Sequence, residues 1–142
     1  MKRIIGLFAI ICLAVTSCDD TADIHNTEAL VGFWALETVY MNDVNSAAYI
    51  DFLNGGNYLH LKKDKTFTRV YDTGTWVACG NTLKLKRDER TGLGDWTYKI
   101  LERSNDNLVI EIKRTLEQYC CGSKLFMANE LITFKEVYNK VE

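Results

Sequence analysis

Two histidines, five cysteines and a scatter of carboxylates are what this chain of 142 residues offers to acid–base, nucleophilic or metal chemistry. His25 stands in a polar stretch without periodicity, and His60 lies between Leu59 and Leu61, where alternation turns it to solvent. A catalytic nucleophile needs a base and a group that orients it, and neither histidine has a partner for either role. The aspartates Asp43, Asp64, Asp72, Asp88 and Asp106 fall at turns, where the side chain bonds to turn backbone, so no glycosidase-type pair stands out. Gly92-Leu93-Gly94 lacks the helix and lysine that follow in a phosphate loop and reads as a turn. Cys120-Cys121 has no second pair and no nearby histidine with which to complete a tetrahedral zinc site. Lys84, Lys86, Arg87 and Arg90 read as a solvated face. These residue types predict a non-enzymatic protein without metal or cofactor.

The elements that would position any side chain are strands. From Gly32 onward, period-two segments alternate with Gly, Asn and Asp punctuation, the all-β pattern. The expected strands are Gly32–Met41, Asn57–Lys62, Thr66–Tyr71, Thr75–Cys79, Thr82–Arg87, Trp96–Arg103, Leu108–Tyr119 and Lys124–Tyr138. Most breaks have hairpin length, which favours a strand order that follows the chain. The stretch Asn42 to Leu53 is long enough for a short helix or lid around Ala47-Ala48-Tyr49-Ile50. Each strand carries one apolar face, as in Leu83 and Leu85 against Lys84 and Lys86, and no amphipathic helix is long enough to cover them. An eight-stranded antiparallel up-and-down β-barrel buries those faces and removes both sheet edges.

Alternation also selects side chains for the interior. Leu36, Tyr40, Phe67, Trp76, Leu85, Trp96, Tyr98, Ile110, Arg114, Phe126 and Phe134 are the expected lining, either filling the barrel or leaving room for one small ligand. A three-residue turn at Cys121-Gly122-Ser123 would set Arg114 opposite Glu130 on the inner face. There Arg114 is either half of a buried ion pair or the group that meets a ligand's carboxylate.

The amino end has a different character. Met1-Lys2-Arg3 precedes an apolar run from Ile4 to Val15, followed by small residues, the layout of a secretory signal peptide. Val15-Thr16-Ser17-Cys18 resembles the lipobox of bacterial lipoproteins. That resemblance implies cleavage after residue 17, acylation of Cys18 by fatty acids such as palmitate, and a lipid-anchored envelope protein, at the periplasmic face or the cell surface of the outer membrane. Asp19-Asp20 resembles the acidic stretch behind the lipidated cysteine of surface-exported lipoproteins, although in enteric-type sorting the same Asp would retain the protein at the inner membrane. Residues 18–28 then form the lipidated cysteine and a tether, and residues 29–142 the barrel domain. Losing Lys2 and Arg3 takes the formal net charge from −2 to −4. An acidic body has no basic excess with which to neutralise phosphates, which argues against a nucleic-acid partner.

Of the five cysteines, Cys12 leaves with the signal peptide and Cys18 carries lipid, so Cys79, Cys120 and Cys121 remain. An oxidising compartment permits one disulfide among them. In an up-and-down barrel Cys79 and Cys120 end strands at opposite rims, which argues against their pairing.

A second resemblance begins at the first strand. Leu30-Val31-Gly32-Phe33-Trp34, then Lys63-Asp64-Lys65-Thr66-Phe67, Thr73-Gly74-Thr75-Trp76 and Leu83-Lys84-Leu85 resemble, in this order, the lipocalin-like domains of bacterial lipoproteins. The resemblance implies that Trp34 packs across the closed end of the barrel. The basic residue that meets this Trp from the last strand has Lys135 as its candidate, although alternation places Lys135 on the face opposite Phe134. The Thr-Asp-Tyr motif of animal lipocalins is absent, and Ser104-Asn105-Asp106-Asn107 stands in its place. The implied function is non-enzymatic binding of a small apolar or amphipathic ligand inside a monomeric barrel. A filled barrel acting as an envelope scaffold, its loops binding a protein or glycan, is the alternative.

Overall fold

The structure is a computed structural model and describes residues 27–46, 58–70, 72–88, 94–119 and 130–141. Nine strands follow in chain order: β1 (Gly32–Met41), β2 (Val44–Asn45), β3 (Tyr58–Leu61), β4 (Thr66–Arg69), β5 (Asp72–Cys79), β6 (Thr82–Arg87), β7 (Trp96–Arg103), β8 (Asn107–Thr115) and β9 (Leu131–Val141). Every neighbouring pair is antiparallel, and β9 pairs back onto β1 from Phe33↔Val141 to Met41↔Phe134. This last pairing closes β1 and β3 to β9 into an eight-stranded up-and-down barrel, while β2 pairs with β1 alone. Every described strand lies between Gly32 and Val141.

One-sided alternation explains the closure. In β6 Leu83, Leu85 and Arg87 are buried and Lys84 and Lys86 exposed; in β7 Trp96, Tyr98 and Ile100 are buried and Thr97 and Lys99 exposed. Apolar residues at every second position must face one enclosed layer. Gly74 is required where β5 meets β6, because a Cβ there would stand 2.0 Å from the Lys86 carbonyl oxygen. β1 starts and β9 ends at one end of the barrel, with Gly32, Trp34 and Lys140. The far end gathers Arg69, Asp72, Arg87, Trp96 and the four-residue helix α1 (Leu116–Tyr119).

The strand boundaries Gly32–Met41, Thr82–Arg87 and Trp96–Arg103 coincide with the sequence expectation, and the other described strands differ instructively. A β-bulge between Leu36 and Thr38 shifts the inward face of β1 from Trp34 to Val39, and turns Tyr40 to the outer wall against Lys135. After Met41 the chain turns back on itself. Asn42 and Asp43 both take positive φ, 48° and 65°, and reverse it into β2, the turn chemistry that Asn and Asp tolerate. β8 stops at Thr115 and coils into α1, so Arg114 pairs with Ile132 and not with Glu130, which is exposed. The expected Arg114–Glu130 pair is thereby replaced. A helical turn spends more chain than a three-residue hairpin and moves the register by two.

The expectations for residues 1–26, Ala47–Ile50, Gly92, Cys120–Ser123 and Phe126 lie outside the described residues. Cys79, at the end of β5, is disulfide-bonded.

Candidate functional site at the Trp96 end of the barrel

At the Gly32 end the tryptophan is satisfied, although Arg103 Nη1, at the end of β7, is buried with no hydrogen-bond partner among the described residues. Trp34 is fully buried, and its indole N–H donates to the Leu30 carbonyl at 2.8 Å. Lys140 Nζ lies 5.3 Å from the centre of the Trp34 ring. Gly32 makes this approach feasible, since a Cβ there would stand 2.6 Å from Lys140 Cε. The basic residue against Trp34 is thus Lys140, not Lys135, which lies 4.7 Å from the centre of the Tyr40 ring on the outer wall and pairs with Asp43 at 3.0 Å. Under the turn joining β3 to β4, Trp76 donates to the Lys62 carbonyl at 3.0 Å, with Lys65 Nζ 4.2 Å from its ring centre.

In mid-barrel a carboxylate is fully buried. Glu136 follows Phe134 at the same alternation and faces inward between Val39 of β1 and Ile110 of β8. Its Oε1 accepts from Arg69 Nη2 at 2.7 Å and from the Tyr119 hydroxyl at 2.5 Å, with the Tyr98 hydroxyl at 3.4 Å; its Oε2 accepts from Tyr138 at 2.7 Å. Arg69 also donates to the Tyr98 hydroxyl. A buried ion pair is tolerated when its remaining lone pairs and protons are satisfied in this way. Burial works against the Arg69 cation, but Glu136 together with Tyr98, Tyr138 and Tyr119 outweighs it and holds the guanidinium well above its ordinary value. Burial pushes the Tyr98, Tyr119 and Tyr138 hydroxyls well above the usual phenol range, and the Glu136 charge adds to the shift. The network fixes Arg69 and leaves Glu136 no oxygen without a donor.

Above Glu136 the chemistry changes. Three guanidiniums surround the Trp96 ring: Arg114 at 4.6 Å, Arg69 at 4.7 Å and Arg87 at 5.6 Å from its centre. Tyr98 stacks on the same ring at 6.0 Å, and Tyr119 meets it edge-on at 5.9 Å while lying flat on Phe134 at 3.7 Å. Arg87 Nη2 pairs with Asp72, and Arg114 donates to the Asp95 backbone carbonyl. Burial lowers the Arg114 pKa, and the Arg87 and Arg69 cations lower it further against Tyr98 and Asp95. Arg87 Nε, Arg87 Nη1 and the Trp96 indole N–H are buried with no hydrogen-bond partner among the described residues.

No protein-family model and no curated protein matches the chain. It is similar to one solved structure, a lipocalin-like protein from Bacteroides uniformis, at 15% identity and a TM-score of 0.44, over 80% of this chain and 99% of that one.

The residues singled out in the sequence divide on this frame. Trp96, Tyr98, Arg114 and Phe134 converge at the far end; Phe67 is buried inside; Trp76 is tied to the β3–β4 turn; Tyr40 is on the outer wall. Sequence reasoning passed over Arg69 and Glu136, and its reading of Arg87 as part of a solvated face is overturned by that residue's burial. The signal for Glu136 was the alternation of β9 carried two residues past Phe134, and for Arg69 its spacing of two from Phe67. Arg87, grouped with the exposed Lys84 and Lys86, sits at the odd position that continues Leu83 and Leu85 inward.

Proposed function

We propose that this protein is a lipid-anchored envelope lipoprotein whose barrel binds one small amphipathic molecule at the Trp96 end, without chemistry on it. The contrast between the barrel's two ends carries this reading. Around Trp34 and Trp76 both indole donors have protein acceptors, while around Trp96 an aromatic wall stands beside three arginines, and Arg87 Nε, Arg87 Nη1 and the Trp96 indole N–H have no acceptor among the described residues. A mostly apolar site with a few convergent polar groups is the usual make-up of a small-molecule site. The ligand must be short, because Trp34, Phe67, Tyr98, Phe134 and Tyr138 are fully buried and occupy the interior below. Anchoring rests on the signal-peptide pattern and Cys18, and a disulfide at Cys79 fits an oxidising compartment.

Native mass spectrometry of the purified protein tests the binding. A bound mass of small-molecule size, released on denaturation, is expected. No bound mass, together with no response of tryptophan fluorescence to a panel of alkyl ligands, would move the conclusion to the scaffold reading, which the same five buried rings favour. Labelling with radioactive palmitate tests the anchor: label in the wild-type chain and none in Cys18→Ala is expected, and protease treatment of intact cells reports which face carries the barrel.

A further inference from the structure

We propose that the ligand's polar end is an oxyanion, a carboxylate or phosphate-type group, bound by Arg87 Nε and Nη1 and by the Trp96 indole N–H. This rests on the ligand-binding reading above and adds the chemical class of the head group. Three observations carry it.

The first is an accounting of donors. Buried N–H groups are almost always paired, because each unpaired one costs its desolvation. The Arg87 side chain is 4% exposed and Trp96 as a whole 4%, yet two nitrogens of the one and the single donor of the other have no acceptor among the described residues. The other two tryptophans of the chain donate to backbone carbonyls at 2.8 and 3.0 Å.

The second is where the nearby carboxylates are engaged. Asp72 takes Arg87 Nη2, Asp95 Oδ1 accepts the Arg87 backbone N–H at 3.2 Å, and Glu136 is held by Arg69 and the tyrosines. None of these three accepts from Arg87 Nε, Arg87 Nη1 or the indole.

The third is the field. Three guanidinium centres lie within 6 Å of the Trp96 ring centre, and although Arg69 and Arg87 are paired with Glu136 and Asp72, the hydrogen bonds that Arg87 gives an anionic acceptor are stronger than those it gives a neutral one. Arg87 Nε and Nη1 point from different edges of the guanidinium. Together with the indole they call for more than one acceptor oxygen, which an oxyanion supplies and an alcohol does not.

The test uses the processed chain with Cys18→Ala, secreted so that Cys79 oxidises, and needs no detergent. Decanoate, decyl phosphate and decanol are titrated below their micellar concentrations, and inorganic phosphate separately, with affinities read by isothermal titration calorimetry in every variant and the ¹H–¹⁵N signal of the Trp96 indole as the readout of the site. Trp96→Phe assigns that signal. The acids are expected to bind at least about tenfold more tightly than decanol, the scale of a charge-assisted hydrogen bond, and to shift the indole resonance. Arg87→Gln should abolish the preference. Trp96→Phe, which keeps a ring and removes only the donor, should reduce it, and decides the matter should Arg87→Gln not fold. Equal affinity for decanol and the acids overturns the oxyanion site and leaves ligand binding standing. An acid preference that survives Trp96→Phe and Arg87→Gln overturns the assignment to these donors. An indole shift with inorganic phosphate but no binding of any alkyl compound supports the oxyanion site and removes the amphipathic ligand. No response to any of the four overturns both.

Discussion

The two ends of the barrel are built from the same parts and finished differently. At one, Lys140 lies against Trp34, whose N–H is spent on Leu30. At the other, three arginines lie around Trp96, whose N–H has no acceptor among the described residues. A cation on an indole ring contributes modestly, about 0.5–2 kcal/mol depending on desolvation, so the ring and cation alone do not separate the ends. The hydrogen-bond accounting does. Where the indole donor is matched internally, the tryptophan is a plug. Where donors are buried and unmatched, the fold carries a cost that a ligand can repay.

The largest test of this contrast is Trp34→Ala. If the ring seals the barrel, its removal leaves a cavity at a fully buried site, and denaturant titration should show a loss of about 3–5 kcal/mol. A loss below about 1 kcal/mol would remove Trp34 from the role of plug. Glu136→Gln comes next. It keeps the shape of the side chain but leaves the Arg69 charge buried without its counter-ion, at a cost of about 3 kcal/mol. An unchanged unfolding midpoint would show that Arg69 is not held by Glu136.

The tyrosines around Glu136 supply a test in pH. In the unfolded chain a tyrosine ionises near pH 10. In the fold Tyr98, Tyr119 and Tyr138 are all pushed well above that value, first by burial. A group raised in the folded state contributes its stability in full below the unfolded pKa. That contribution is lost as pH climbs past 10, where only the unfolded chain gives up the proton. Three such groups should together cost about 2.5 kcal/mol at pH 10.5 relative to pH 8. Repeating the titration with Tyr138→Phe should return about a third of that loss. A pH dependence that is the same in both proteins would place the Tyr138 hydroxyl outside the coupled network.

Much of the barrel was legible in the sequence because its strands are amphipathic at strict period two. β6 and β7 have their apolar residues at every second position, so their limits and faces follow from composition. Where a local irregularity intervened, alternation misled. The bulge between Leu36 and Thr38 adds one residue without any glycine to mark it, and so Tyr40 was read as lining. Past Thr115, Leu116 and Gln118 continue the even-numbered series while the chain has already turned helical, which produced the Arg114–Glu130 pairing. The far-end cluster was the least legible part. Arg69 and Glu136 are 67 residues apart, and their contact depends on barrel closure, which no spacing within either strand records. Charged residues at inward positions also look, one strand at a time, like imperfections of the pattern. Only the closed barrel shows that they face one another.

The finest test sets the two ends against each other with one conservative change at each. Trp34→Phe and Trp96→Phe remove the same atoms from buried rings, and both incur a similar loss of apolar contact. They differ in the fate of the N–H. At Trp34 the change breaks a bond and strands the Leu30 carbonyl; at Trp96 it deletes a donor that had no partner and leaves nothing newly unpaired. Losing a buried hydrogen bond while orphaning its acceptor costs about 1–2 kcal/mol more than removing an unsatisfied group. Trp34→Phe should therefore be the more destabilising by that margin when both are unfolded without ligand. The order should also respond to ligand, because Trp96→Phe forfeits stabilisation by a bound acid and Trp34→Phe does not. Equal costs in ligand-free protein would mean that the Trp96 N–H is already satisfied, by solvent or by the chain, and that the two ends differ in appearance alone.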